Sequence, residues 1–239
     1  MLETQGLSKN FGNLVALSDV SFKVDQGEIF GIAGPNGAGK TTLFNAITGN
    51  YTPSAGKVTF AGRDITGFSP DQICHLGIGR TYQIPATFHS LNVRDNIRVG
   101  STFGGRDTRR VDDILNFLNL SAIADLPAKN LDLYSTKLVM LGSVLATHCK
   151  LLMLDEPMAG FSMPEINKFV EVLRSINKEW GITIVIIEHL LDILISLTGR
   201  MLILSNGALL YLGASSGVTA DRRVVEVYLG SDYKEGDHA

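Results

Sequence analysis

Residues 29–44 read IFGIAGPNGAGKTTLF, and the fold turns on this stretch. A short apolar run, 29–33, meets a glycine-rich turn that leads into a helical pattern beginning at Lys40. Gly34, Gly39, Lys40 and Thr41 fit the spacing G-x-x-x-x-G-K-[ST]; Pro35, Asn36, Gly37 and Ala38 fill the turn, and Thr42 follows it. Glycines there let backbone N–H groups wrap a phosphate chain, since a Cβ would block the approach. Lys40 is expected to reach the β- and γ-phosphates, and the Thr41 hydroxyl to take a place on Mg²⁺. The dipole of the following helix adds to the pull on an anion. An ordinary glycine-rich strand–helix turn is the competing account, and the spacing and setting argue against it.

Outward from this turn, apolar segments at 20–24, 151–155, 182–188 and 201–204 read as strands, with a further strand at 208–212. Residues 56–65 read as a strand pair around a glycine turn, and 79–83 as extended. Helical patterns lie at 40–49, 70–75, 93–99, 111–120, 164–177 and 224–229. Val111, Ile114, Leu115 and Leu118 form one stripe, and Ile166, Phe169, Val170 and Leu173 another. Apolar strands alternating with helices imply an α/β fold with a largely parallel sheet covered on both faces. The helical stretch at about 88–148 is long enough for a subdomain inside a domain spanning 1–230, with a disordered tail at 231–239.

Asp155 ends the run LLML, and Glu156 follows it. Ligands gather at the carboxyl ends of parallel strands, so Asp155 is expected beside the phosphate turn, orienting Mg²⁺ or its waters. Glu156 can then polarise an attacking water. Alternatively, both acids merely cap the next helix. His189 ends the buried run IVIIE; in a strand neighbouring that of Asp155 it suits a γ-phosphate sensor, and otherwise it is structural. Gln83 could coordinate Mg²⁺ and the attacking water. Phe11 could stack on an adenine ring or belong to the core.

In chain order, FG at 11–12, GPNGAGKTT at 34–42, Gln83, LLMLDEP at 151–157, AGFS at 159–162 and His189 resemble the ATP-binding subunit of an ABC transporter. They match its adenine-contacting aromatic, Walker A, Q-loop, Walker B with catalytic Glu, D-loop and switch His. The resemblance implies a P-loop NTPase fold with a β-rich and a helical subdomain, and ATP and Mg²⁺ as cofactors. It also implies hydrolysis that drives transport through separate membrane-spanning permease subunits, with Phe88 and Leu91 as candidate apolar contacts for them and core packing as the competing account of both. GIGRTYQ at 77–83, MAGFS at 158–162 and VVEVYLG at 224–230 look like the branched-chain amino-acid importer group, which works with an extracytoplasmic substrate-binding protein. An ABC-type ATPase or nucleotide-binding regulator without a membrane partner is the competing account.

One segment departs from the pattern. Aligned back from LLMLDEP, Leu131, Asp132, Leu133, Tyr134 and Ser135 occupy the five positions of the LSGGQ signature, so its serine and glycines are absent. In the family's closed dimer, the signature completes the Walker A site of the opposite subunit. At about 6 Å and an effective dielectric near 20, the Asp132 charge would repel each unit of phosphate charge by roughly 3 kcal/mol. With its own Walker A and acids intact, the chain is expected to pair with a second, different ATP-binding subunit bearing an intact signature. The alternative is that the segment is only divergent and the dimer closes regardless. Ser162 stands where the D-loop usually has Asp or Asn, which would alter signalling across the dimer.

Composition narrows the partners. Hydrophobic residues make up 45% of 239 and charged ones 19%, and the apolar runs are too short to span a bilayer. The start of the chain lacks the layout of a secretory signal, so a cytosolic protein is expected, peripheral on the cytoplasmic face of the membrane through its partners. A net charge of −3 without a long basic run speaks against nucleic acid, and RDTRR at 106–110 reads as a solvated loop. Cys74 and Cys149, far apart, read as buried thiols.

Overall fold

The computed structural model describes residues 1–84, 86–104 and 111–229. The charged run at 106–110 and the tail at 231–239 lie outside the described residues. The chain divides into two compact units, Met1–Gly67 with Ile186–Ala239, and Phe68–Val185.

The first unit begins with a strand that sequence periodicity does not reveal. β1 (Leu2–Phe11) turns Leu2, Thr4 and Leu7 inward, but its register shifts between Thr4 and Leu7, which breaks the alternation. Buried Thr4 satisfies its hydroxyl by donating to the Val20 carbonyl (3.0 Å) and accepting from the Phe22 N–H (3.2 Å). β2 (Leu14–Val24) runs antiparallel to β1 from Val24 opposite Leu2 to Leu14 opposite Phe11. After β3 (Ile29–Ala33) and α1 (Lys40–Ile47), β4 (Ala55–Phe60) takes the other edge of β1, and β5 (Arg63–Asp64) pairs with β4.

The second unit opens with α2 (Pro70–Leu76), held at its start by the Ser69–Gln72 capping box and ended by Gly77. β6 (Ile78–Arg80), α3 (Val93–Phe103), α4 (Val111–Phe117), α5 (Leu133–Leu145), β7 (Leu151–Asp155) and α6 (Met163–Trp180) follow. β6 pairs in parallel with β7, whose residues are all buried. The expected α6 stripe of Ile166, Phe169, Val170 and Leu173 is buried, and Ile176 extends it. Along the expected 111–120 stripe, Ile114, Leu115 and Leu118 are buried while Val111 is only half-buried. The sequence stripe at 93–99 undershot α3, which continues to Phe103.

β8 (Thr183–Ile187) returns the chain to the first unit, where α7 (Leu191–Leu197), β9 (Arg200–Ser205), β10 (Ala208–Ala214) and α8 (Arg222–Leu229) complete it. β3 lies parallel to β9, with Phe30 opposite Arg200 and Ala33 opposite Ile203, while β10 folds back antiparallel. Parallel ladders thus coexist with an antiparallel N-terminal sheet, and the fold is α/β. Cys149 is buried and Cys74 half-buried, and neither is in a disulfide. Among the described residues no helix is long and apolar enough to cross a membrane.

Gly100 marks the tightest helix approach in the second unit. A Cβ there would lie 1.8 Å from the Ser143 carbonyl oxygen, so α3 and α5 meet backbone to backbone. Gly100→Ala should therefore cost about 2–3 kcal/mol in urea unfolding, whereas Gly199→Ala, with nothing within 4 Å, should change stability little.

Candidate functional site

In the first unit, the glycine-rich turn hangs between β3 and α1. Gly34 has φ +145°, and a Cβ there would lie 2.2 Å from the Leu204 carbonyl oxygen; at Gly39 (φ +99°) it would lie 2.7 Å from that of Ala16. Both positions therefore require glycine. The tip of the β9–β10 turn supports the loop, with Gly207 N–H donating to the Ala38 carbonyl (3.1 Å) and Ser18 N–H to that of Gly207 (2.8 Å). Gly207 as a buttress is invisible in sequence, where it is one more hairpin glycine.

Pro35 is half-buried, Asn36 and Gly37 are exposed, and Ala38 is buried. Gly39 starts α1 with no side-chain cap, so no capping side chain competes with an anion at the helix start. Buried Lys40 curls back, its Nζ donating to the carbonyls of Gly34 (2.7 Å) and Pro35 (3.0 Å). Thr41 is exposed and Thr42 half-buried at the head of α1.

Phe11 is 41% exposed, which removes it from the core. It meets Tyr51 edge to face at 5.2 Å, and the Lys9 ammonium lies 5.0 Å from the Phe11 ring centre, anchored to the Thr52 carbonyl (2.8 Å). Tyr51 and Lys9 escaped the sequence reading because neither belongs to a spaced motif. His189 is exposed just past β8, beside buried Glu188. On α8, burial pushes the Tyr228 phenol up.

In the second unit, Gln83 and Glu156 come together, the Gln83 amide donating to the Glu156 carboxylate at 2.6 Å. Glu156 has φ +49°, an uncommon conformation for a residue with a Cβ and one that concentrates at functional sites. Asp155, 3% exposed, ion-pairs with Arg80 at 2.9 Å. Arg80 lay in plain view within GRTYQ, but nothing in the sequence links it to residue 155.

The LDLYS segment is a helix start. Asp132 caps α5, its Oδ1 accepting from the Ser135 N–H (2.7 Å), while the Thr136 hydroxyl donates to the Asp132 carbonyl (2.7 Å). Tyr134 turns inward, its ring 5.1 Å from Phe161 and 6.5 Å from Phe169. Burial, with the Glu165 charge behind it, pushes the Tyr134 phenol up. The bulk expected at this position is therefore turned largely into the unit, whereas Leu133 stays 41% exposed. Buried Lys137 donates to the carbonyls of Pro157 (2.8 Å) and Ala159 (2.7 Å) and faces the Phe161 ring at 5.0 Å, tying α5 to the loop after the acid pair. A single Lys inside the apolar stretch 131–145 was the available sign. Ser162 caps α6 in a reciprocal box with Glu165, so its local duty is structural.

The donors suit a hard cation. Gln83 and Asp155 offer oxygen within the second unit, Thr41 by itself offers a hydroxyl in the first, and among the described residues no group of three His, Cys, Asp or Glu could hold a metal. Mg²⁺ held through a few protein oxygens and phosphates fits such a set better than an all-protein metal cage does. Because the Gln83 amide nitrogen serves Glu156, its carbonyl oxygen is directed elsewhere.

Fold and residues together define a P-loop nucleotide-hydrolysing protein. Residues 17–159 match the family profile described as ABC transporter. The probable branched-chain amino acid transport ATP-binding protein LivG of Archaeoglobus fulgidus is 36% identical over 255 aligned residues, which cover 98% of this chain and 97% of its own. The high-affinity branched-chain amino acid transport ATP-binding protein BraF of Pseudomonas aeruginosa is 28% identical, with 96% and 98% covered. Among solved structures, the ADP conformation of MJ1267, an ATP-binding cassette of an ABC transporter, superposes with a TM-score of 0.88 at 33% identity, covering 96% of this chain and 98% of that one. The chain belongs to the ABC transporter family, as an ATP-binding subunit with ATPase activity.

Lys137 supplies a direct check on the α5 tether. Lys137→Met leaves the Pro157 and Ala159 carbonyls unserved in a buried site and should cost about 2–4 kcal/mol in urea unfolding.

Proposed function

We propose that this subunit hydrolyses ATP at its own phosphate loop to power an importer of branched-chain or other small amino acids or amides. It sits at the cytoplasmic face of the membrane against permease subunits, which an extracytoplasmic binding protein supplies with solute. It pairs with a second, different ATP-binding subunit that carries an intact signature. The solute class rests on the names of the relatives. The asymmetric pairing rests on one observation: Asp132, a carboxylate, occupies the start of α5 and takes the Ser135 N–H for itself. In a working signature, hydroxyl and glycine N–H groups serve a phosphate from that place.

The proposed roles draw on the geometry for support. Lys40 exchanges the Gly34 and Pro35 carbonyls for phosphate oxygens, which a charged donor prefers. The backbone N–H groups of Gly34 to Thr42 cradle the phosphates, and exposed Phe11, with Tyr51 and Lys9 behind it, offers a face to adenine. Glu156 takes a proton from the attacking water once Gln83 releases or shares it. His189, at the end of its strand, senses the γ-phosphate. Thr41, Gln83 and Asp155 are the residues that would hold Mg²⁺, which would supply charge neutralisation at the phosphate oxygens. Exposed Phe88 and half-buried Leu91 face the permease.

Glu156→Gln should lower turnover by about 10²- to 10⁴-fold with ATP affinity within a few-fold of the parent. In size-exclusion chromatography with ATP, that variant alone should remain monomeric. Adding Asp132→Ser, Leu133→Gly, Tyr134→Gly and Ser135→Gln should then produce ATP-dependent dimers. Dimers of the Glu156→Gln variant without the four changes would refute the asymmetric pairing.

A further inference from the structure

Asp155 and Arg80 form a buried ion pair for which the hydrolytic chemistry has no evident need. The parallel register sets Arg80 opposite Met153, and the Thr81 N–H donates to the Met153 carbonyl at 3.0 Å. The pleat places Arg80, Met153 and Asp155 on one face. The Arg80 guanidinium reaches the Asp155 carboxylate at 2.9 Å, with the two side chains 6% and 4% exposed. Tyr82 lies over the guanidinium, its ring centre 4.9 Å away.

We propose that Arg80 is a resident counter-cation that tunes metal binding at Asp155. It neutralises the carboxylate when the metal is gone, and its charge opposes binding of a metal that arrives without nucleotide. This rests on the reading of Asp155 as a metal ligand. An ionised carboxylate this deeply buried is costly without a partner, so a site emptied after each turnover needs a replacement cation. A guanidinium serves better than an ammonium, being weakly hydrated, planar and able to lie against the Tyr82 ring. The pair itself is neutral, so Asp155 offers free Mg²⁺ no uncompensated charge. The nucleotide's phosphates must bring the missing charge, and the metal therefore enters and leaves with the nucleotide. Arg80 is a positioning residue in this scheme, acting on the metal through Asp155.

The test uses the full-length purified subunit and Mn²⁺ as the probe, with free Mn²⁺ counted by electron paramagnetic resonance, with and without ADP. Wild type should bind Mn²⁺ weakly alone and tightly with ADP. Arg80→Gln should bind Mn²⁺ alone about tenfold or more tightly than wild type. Its melting temperature in EDTA should fall below wild type and recover on adding Mn²⁺. Arg80→Lys keeps the charge and should match wild type in Mn²⁺ affinity. Unchanged or weaker Mn²⁺ binding by Arg80→Gln would overturn the proposal. So would a tenfold gain in Arg80→Lys, an arm that decides the matter even if Arg80→Gln does not fold. Asp155→Asn separates the two levels. If it leaves Mn²⁺ binding with ADP intact, Asp155 is not a ligand and both readings fall; if binding drops while Arg80→Gln shows no gain, the Arg80 scheme alone falls.

Discussion

Between residue 34 and the Leu204 carbonyl there is no room for a Cβ, which would lie 2.2 Å from that oxygen. That steric limit sets how β3 hands the chain to α1. The backbone passes against β9, bends through Gly34 at φ +145°, and re-enters helical geometry past Gly39. Because the β9–β10 tip also hydrogen-bonds to Ala38, the loop is clasped from strand and turn alike. A phosphate cradle needs this stiffness, since N–H groups must already point at the anion rather than be gathered around it at an entropic cost. Lys40, bonded to two loop carbonyls, closes the loop on itself.

The second unit meets a different demand, that of keeping two acids at one strand end. Asp155 is buried and neutralised by Arg80, while Glu156 turns outward through φ +49° and rests on the Gln83 amide. Both partners come from residues 80–83, so one short segment governs both acids. A movement of that segment would change the surroundings of Asp155 and Glu156 together. This gives a physical basis for coupling hydrolysis to whatever presses on exposed Tyr82 and Ile84.

Legibility in the sequence followed the range of each interaction. The phosphate loop and the acids stood out because each motif is local and its chemistry demands a fixed spacing, whereas a lone His189 drew meaning only from the apolar run before it. β1 was hidden by a register shift and by a buried Thr4 whose hydroxyl is satisfied by β2, a fact of pairing rather than of composition. Arg80 and Lys137 were present in the text of the chain, but their partners lie 75 and 20 residues away. Phe11 could be core or exposed on the sequence alone, and its exposure takes it out of the core.

The altered signature shows why fold and activity can part company at one helix end. A helix start asks only for an oxygen that accepts from its first N–H groups, and Asp serves as well as Ser. Asp132 therefore keeps α5 intact, and Tyr134 gains packing against Phe161 and Phe169 that a glycine could not give. Stability does not resist these replacements and in part favours them. What changes is the character of the helix start, from a donor surface open to phosphate to one already occupied by a carboxylate. On the proposed pairing, only binding across a dimer would register that difference, so its effect would fall on the pairing of subunits and not on the folding of this one.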